Sequence, residues 1–170
     1  MSQMMGSAHI ASQAGGYEPQ RVWMYSISVI GIPSHLNASI SAGFSPQKSS
    51  TPIEINFGGT SRFVRGRRKM GNGSITFVDY VDKDTLGALE EWEAQHEDPN
   101  TGEVMSAQGY KRSAVYTAYP PPDMGLAPRR WDIVGCQLTR LDKGSWTYND
   151  NKVAEIKAEI QYDDFKRRTA

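Results

Sequence analysis

The chain has 170 residues, and its 19 Lys and Arg balance 19 Asp and Glu to give zero formal net charge. That length supports one domain with a real core, and the neutral balance argues against a protein built to grip nucleic acid over a wide basic surface. A single cysteine excludes an internal disulfide, and His9, His35 and His96 are too scattered to form a metal site.

Residues 1–20 are Ser, Gly, Gln and Met without periodicity, the composition of a flexible arm. They have neither the basic nor the apolar region of a secretory leader, and no apolar run approaches the length of a membrane span. The expectation is a soluble protein of a reducing compartment. Ordering such an arm costs about 1 kcal/mol or more per residue in backbone entropy. Its large aliphatic anchors Met4, Met5 and Ile10 are therefore expected to seat on a neighbouring subunit.

Residues 22–32 are β-branched and aromatic and predict a strand. Weak alternation at Leu36, Ala38, Ile40 and Ala42 suggests a second, over 36–44. Residues 45–52 have loop composition, and 53–57 alternate cleanly as a short strand that stops at Gly58-Gly59. Residues 62–69 then gather Arg62, Arg65, Arg67, Arg68 and Lys69. Such a cluster can bind phosphate, meet an acidic partner, or be a solvated loop. With Phe63 as its one interleaved aromatic, nucleic-acid binding is the weaker reading. Residues 70–73 read as a turn and 74–81 as a strand.

Residues 82–96 form the one convincing helix, capped by Asp82 or Asp84, with Leu86, Leu89 and Trp92 on its buried stripe. Asp82, Asp84, Gly87 and Glu93 also mimic a calcium loop, but Leu86 stands where an oxygen ligand belongs and a strand precedes it. The capped helix is the better reading. Residues 98–102 turn, 111–119 read as a strand, and Pro120, Pro121 and Pro122 end it.

The last stretch is the most regular. Residues 131–141 read as a strand punctuated by Gly135, and 146–148 as a short extended piece. From 154 to 163, Ala154, Ile156, Ala158, Ile160 and Tyr162 alternate with Glu155, Lys157, Glu159, Gln161 and Asp163. Period two over ten residues requires a strand with one buried and one wet face, and outweighs the helix propensity of Ala, Glu and Lys. Cys136 falls inside a strand and reads as a buried small hydrophobe. No nucleophile, base and orienting group occur together, nor a glycine-rich phosphate loop, so the chain reads as a non-enzyme without a cofactor.

This order of strands, basic segment, Trp-bearing helix and terminal meander resembles the tail tube proteins of contractile-tailed bacteriophages. The residues that carry it are RKMGNGSITF from Arg68 to Phe77, the helix with Trp92, and an ending in which Gly135-Cys136 precedes Leu141, Gly144, Val153, Ile156, Ile160 and Tyr162-Asp163. The resemblance implies an antiparallel β-sandwich or barrel with one flanking helix, comprising an arm (1–20), one domain (21–166) and a basic tail (167–170). It further implies hexameric rings that pair strands across subunits and stack into a tube inside a sheath, a conduit for DNA ejection in the virion tail. The implied partners are the protein itself, the sheath, baseplate and tail-terminator proteins, the tape measure protein and transiting DNA. A baseplate tube-initiator and the tube of a phage-derived secretion particle are the alternatives, and a nucleic-acid-binding module using 62–69 is one of another class. Residues 79–98 hold eight acids against Lys83. Arg65, Arg67, Arg68 and Lys69 facing Asp84, Glu90, Glu91 and Glu93 across subunits would suit a head-to-tail contact.

Overall fold

The computed structural model describes residues 20–98, 100–144 and 152–169. Met4, Met5 and Ile10, and the piece expected at 146–148, lie outside the described residues. In chain order the elements are β1 (Tyr25–Ile30), α1 (Ser34–Ala38), β2 (Ile40–Ala42), β3 (Lys48–Phe57), β4 (Thr60–Met70) and β5 (Asn72–Val78). They continue with α2 (Thr85–Ala94), α3 (Ala107–Tyr110), β6 (Arg112–Ala118), β7 (Arg129–Asp142), β8 (Glu155–Gln161) and β9 (Asp164–Arg168). The fold is mainly antiparallel β, as the alternation required. On β8, Ile156, Ala158 and Ile160 are buried while Glu155 and Lys157 are exposed.

One seven-stranded sheet runs β1-β6-β7-β8-β5-β2, with β9 also on β7. The 14-residue β7 makes it curl. Its first half pairs with β9 through Val134 and with β6 through Cys136, and its second half, from Gln137, pairs with β8. Gly135 sits at the bend with φ 71°, a left-handed conformation that a side chain disfavours. Asp163, between β8 and β9, donates its N–H to the Val134 carbonyl at 3.0 Å, so both runs bend at one level. Its carboxylate accepts from Lys111 Nζ at 2.7 and 3.0 Å. The curled sheet nearly closes a barrel around Val29, Ile75, Phe77, Ile133 and Ile160. Leu89 and Trp92 of α2 join the same core.

The structure departs from the expected elements in four places. Residues 34–38 form a helical turn after Pro33, which buries Leu36 completely, and only Ile40–Ala42 remains of the strand expected over 36–44. That turn presents Asn37 to the rim of β1. Its amide accepts from the Val29 N–H at 2.8 Å and donates to the Val29 carbonyl at 3.0 Å, standing in for a neighbouring strand. Residues 45–52 are not all loop, because β3 begins at Lys48. The turn expected over 70–73 shrinks to Gly71, the single residue between β4 and β5. At the other end, Arg167 and Arg168 lie on β9 and pair with Trp131 and Arg130 of β7, where the sequence suggested a tail.

The bend at Gly135 yields a test. Gly135→Ala should lower unfolding stability by about 1–3 kcal/mol through its positive φ, measured by urea denaturation, while the far-ultraviolet circular dichroism of the native state stays β-rich.

Candidate assembly surfaces

The second sheet is a two-stranded hairpin of β3 and β4, and it is nearly all exposed. Its turn is Gly58-Gly59, with φ 50° and 84°, the double positive φ that tight two-residue hairpins use. The root is fixed to the barrel. Tyr162 Oη donates to the Gln47 carbonyl at 2.8 Å and accepts from the Gln47 N–H at 2.7 Å. Phe44 stacks on Tyr162 with ring centroids 5.6 Å apart, and the Lys48 ammonium lies 5.4 Å from the Phe165 ring centroid. Beyond a bulge after Ser50, Pro52 pairs with Arg65 and Ile53 with Val64. From there the ribbon reaches about 20 Å to its tip at strand rise.

Pleating sorts this ribbon into two faces. One carries Ile53, Ile55, Phe57 and Val64 with Arg62 among them; the other carries Pro52, Glu54, Phe63 and Arg65. Phe57 is 76% exposed, Phe63 68% and Ile53 54%. A contiguous apolar strip of this kind marks an interaction surface. The cations that look like one patch in sequence are thereby dispersed, because Arg62–Lys69 is a strand and its side chains alternate. Arg68 approaches Asp164 at 3.9 Å. Among the described residues no ion pair takes up Arg62, Arg65, Arg67 or Lys69.

The acidic candidates have different roles. Asp84 caps α2, its Oδ1 accepting from the Gly87 N–H at 2.8 Å, so the calcium-loop pattern is a helix start. Among the described residues no group of His, Cys, Asp and Glu is placed to hold a metal. Glu90 pairs with Lys143, whose pKa that carboxylate raises. Glu91 and Glu93 are exposed. Glu93 borders an open groove between the C-terminal half of α2 and the second half of β7. No ion pair among the described residues joins these acids to the hairpin cations within one chain. Cys136 is buried on β7, and burial pushes its thiol up to about 12, as suits a packing residue. No described helix is long and apolar enough to cross a membrane.

The surface that sequence reading missed is the apolar strip. Its signal was present in Gly58-Gly59, two residues between alternating runs, but the loop composition of residues 45–52 hid the first half of β3.

No protein-family model matches the chain, and no curated protein matches it. Solved structures do match over nearly its whole length. A chain of the sheath/tube terminator of an extracellular contractile injection system, PVC, in its extended state, superposes with TM-score 0.67 at 17% identity, covering 90% of this chain and 99% of that one. A chain of the anti-feeding prophage cap, the AFP tube terminating cap, gives 0.68 at 16% identity over 91% and 93%. A chain of the extended PVC sheath-tube complex gives 0.62 at 20% identity over 97% and 99%. The barrel with its flanking helix is thus a fold shared with chains of contractile injection particles.

Asp84 provides the test of this division of labour. Asp84→Ala should cost about 1 kcal/mol of stability through the lost cap, read from the urea midpoint, and should leave any self-association of the folded chain unchanged.

Proposed function

We propose that the protein is a structural subunit whose copies stack into the inner tube of a contractile injection particle, and that it catalyses nothing. The observation that carries the reading is the hairpin. A barrel that already encloses its core extends a ribbon with four apolar residues on one face, and leaving that strip in water has no use for a monomer. The resemblance to tail tube proteins and the fold found in contractile injection particles support the same assembly. The outer faces of β5 and β8 bring Ser74, Thr76, Lys157 and Glu159 side by side. A balanced polar wall of this kind lets cargo pass without holding it. On this reading the copies form rings, six to a ring by the resemblance. Sheath, baseplate and terminator proteins are the partners of the tube. A phage tail conducting DNA past a tape measure protein and a secretion particle carrying other cargo would use the same subunit.

Negative-stain electron microscopy of the purified full chain over rising concentration tests the proposal. Hollow rings or rods of uniform diameter are expected. A chain that forms only compact dimers, or stays monomeric at millimolar concentration, would contradict it.

A further inference from the structure

We infer that residues 43–47, the strap between β2 and β3, are a latch. The hydroxyls of Tyr25, Tyr116 and Tyr162 hold the strap on the barrel and so fix the direction in which the hairpin projects before any copy meets another. That direction is a property of the single chain; its use in assembly rests on the self-assembly reading. The strap belongs to no strand, and what holds it comes from three distant parts of the sheet. Tyr25 on β1 accepts from the Gly43 N–H through its Oη at 2.8 Å. Tyr116 on β6 shares a hydrogen bond with the Ser45 side chain. Tyr162, just beyond β8, engages both backbone groups of Gln47, accepting from the N–H and donating to the carbonyl.

The seat is shaped for this segment. Tyr25 and Tyr116 stack with ring centroids 5.8 Å apart, and Tyr116 leans on Trp131 at 5.5 Å, so two of the phenols are braced by neighbouring rings. A Cβ on Gly43 would lie 2.7 Å from Ile27 Cγ2, and one on Gly73 would lie 2.2 Å from Phe44 Cγ. Both glycines thus let the strap lie close against the sheet. The Tyr162 hydroxyl also stands where both strands of the ribbon leave the barrel. Gly71, the one residue between β4 and β5, donates its N–H to the same Gln47 carbonyl at 3.0 Å, and a Cβ there would lie 3.5 Å from Tyr162 Oη. A ribbon joined to its barrel at one end, with nothing to set its angle, sweeps a wide arc. Held at a set angle it loses less freedom on docking, and association is correspondingly tighter.

The test compares the full-length chain with Tyr162→Phe and with the double variant Tyr25→Phe, Tyr162→Phe. Each keeps its rings in place and loses only hydroxyls, and Ser45 and Gln47 are exposed residues, so the barrel should melt close to the parent. Spin labels on Thr60→Cys at the ribbon's tip and Lys157→Cys on β8 report the ribbon's angle by pulsed electron resonance, with the buried Cys136 left unlabelled. In dilute solution the parent should give one narrow distance peak and the double variant a broad one. Amide exchange at Gly71, whose N–H bonds Gln47 and no tyrosine, should quicken about tenfold or more. In sedimentation velocity the double variant should need about tenfold higher concentration than the parent to associate. A variant ribbon as narrowly distributed as the parent's would overturn the latch and leave the tube reading intact. A broad ribbon on a chain that associates like the parent would overturn the latch's role in assembly. Faster exchange along β7 and β8 as well would make the hydroxyls part of general stability and also overturn the latch. A parent that stays monomeric, beside variants with a loosened ribbon, would uphold the latch and reject the tube.

Discussion

Two long antiparallel runs, β7 and the β8–β9 pair, bend where Gly135 faces Asp163, and the rest of the molecule is arranged around that corner. A straight 14-residue strand would leave a flat sheet with its apolar face open; the bend lets β7 serve both halves of one sheet and wrap them around one core. An added Cβ at Gly135 would lie 2.1 Å from an Asp163 carboxylate oxygen. The residue is therefore fixed by lack of room as well as by its φ. Lys111 secures the corner from the third side and is held in its charged form chiefly by its hydrogen bond to Asp163. Tyr162, next in the chain, carries the root of the hairpin through Gln47. Core closure and the direction of the projecting ribbon thus depend on the same few residues.

That arrangement divides the chain into a part that is complete and a part that is not. The barrel buries its apolar residues, caps its helix and blocks Val29 on β1 with an amide. The hairpin does none of this, since among the described residues its strand pairing beyond the bulge is between its own two strands. Isolated two-stranded ribbons are marginal in water, so docking of the apolar strip on a partner would add to the stability of the tip.

Much of the barrel was legible in the sequence because its strands obey simple rules. The alternation around Ile156 and Ile160 is dictated by one wet and one dry face, and Asp84 before Leu89 and Trp92 is a helix signature that needs no tertiary context. The misreadings share a physical origin. Leu36 alternates like a strand residue, yet Pro33 and the demand of Val29 for a hydrogen-bonding partner make its segment a helical turn. Lys48 to Thr51 look like loop because an exposed hairpin strand needs no hydrophobic alternation, its pairing being supplied by β4. The cationic run at 62–69 reads as a patch only when the chain is written as a line, since pleating sends Arg62 and Arg65 to opposite faces. The groove could not be read at all, because Glu93 and Thr139 are joined only by the packing of α2 on β7.

The central claim is that a nearly closed barrel carries an exposed apolar hairpin that docks against another copy. Amide hydrogen exchange on the full chain at low and high concentration tests it most directly. In the dilute chain, exchange should be slowest where β7 pairs with β8 and fast from Pro52 to Arg65. At high concentration protection should rise at the hairpin, with the barrel unchanged. A hairpin already as protected as β8 in the dilute chain, or one that stays fast while the chain assembles, would contradict the account.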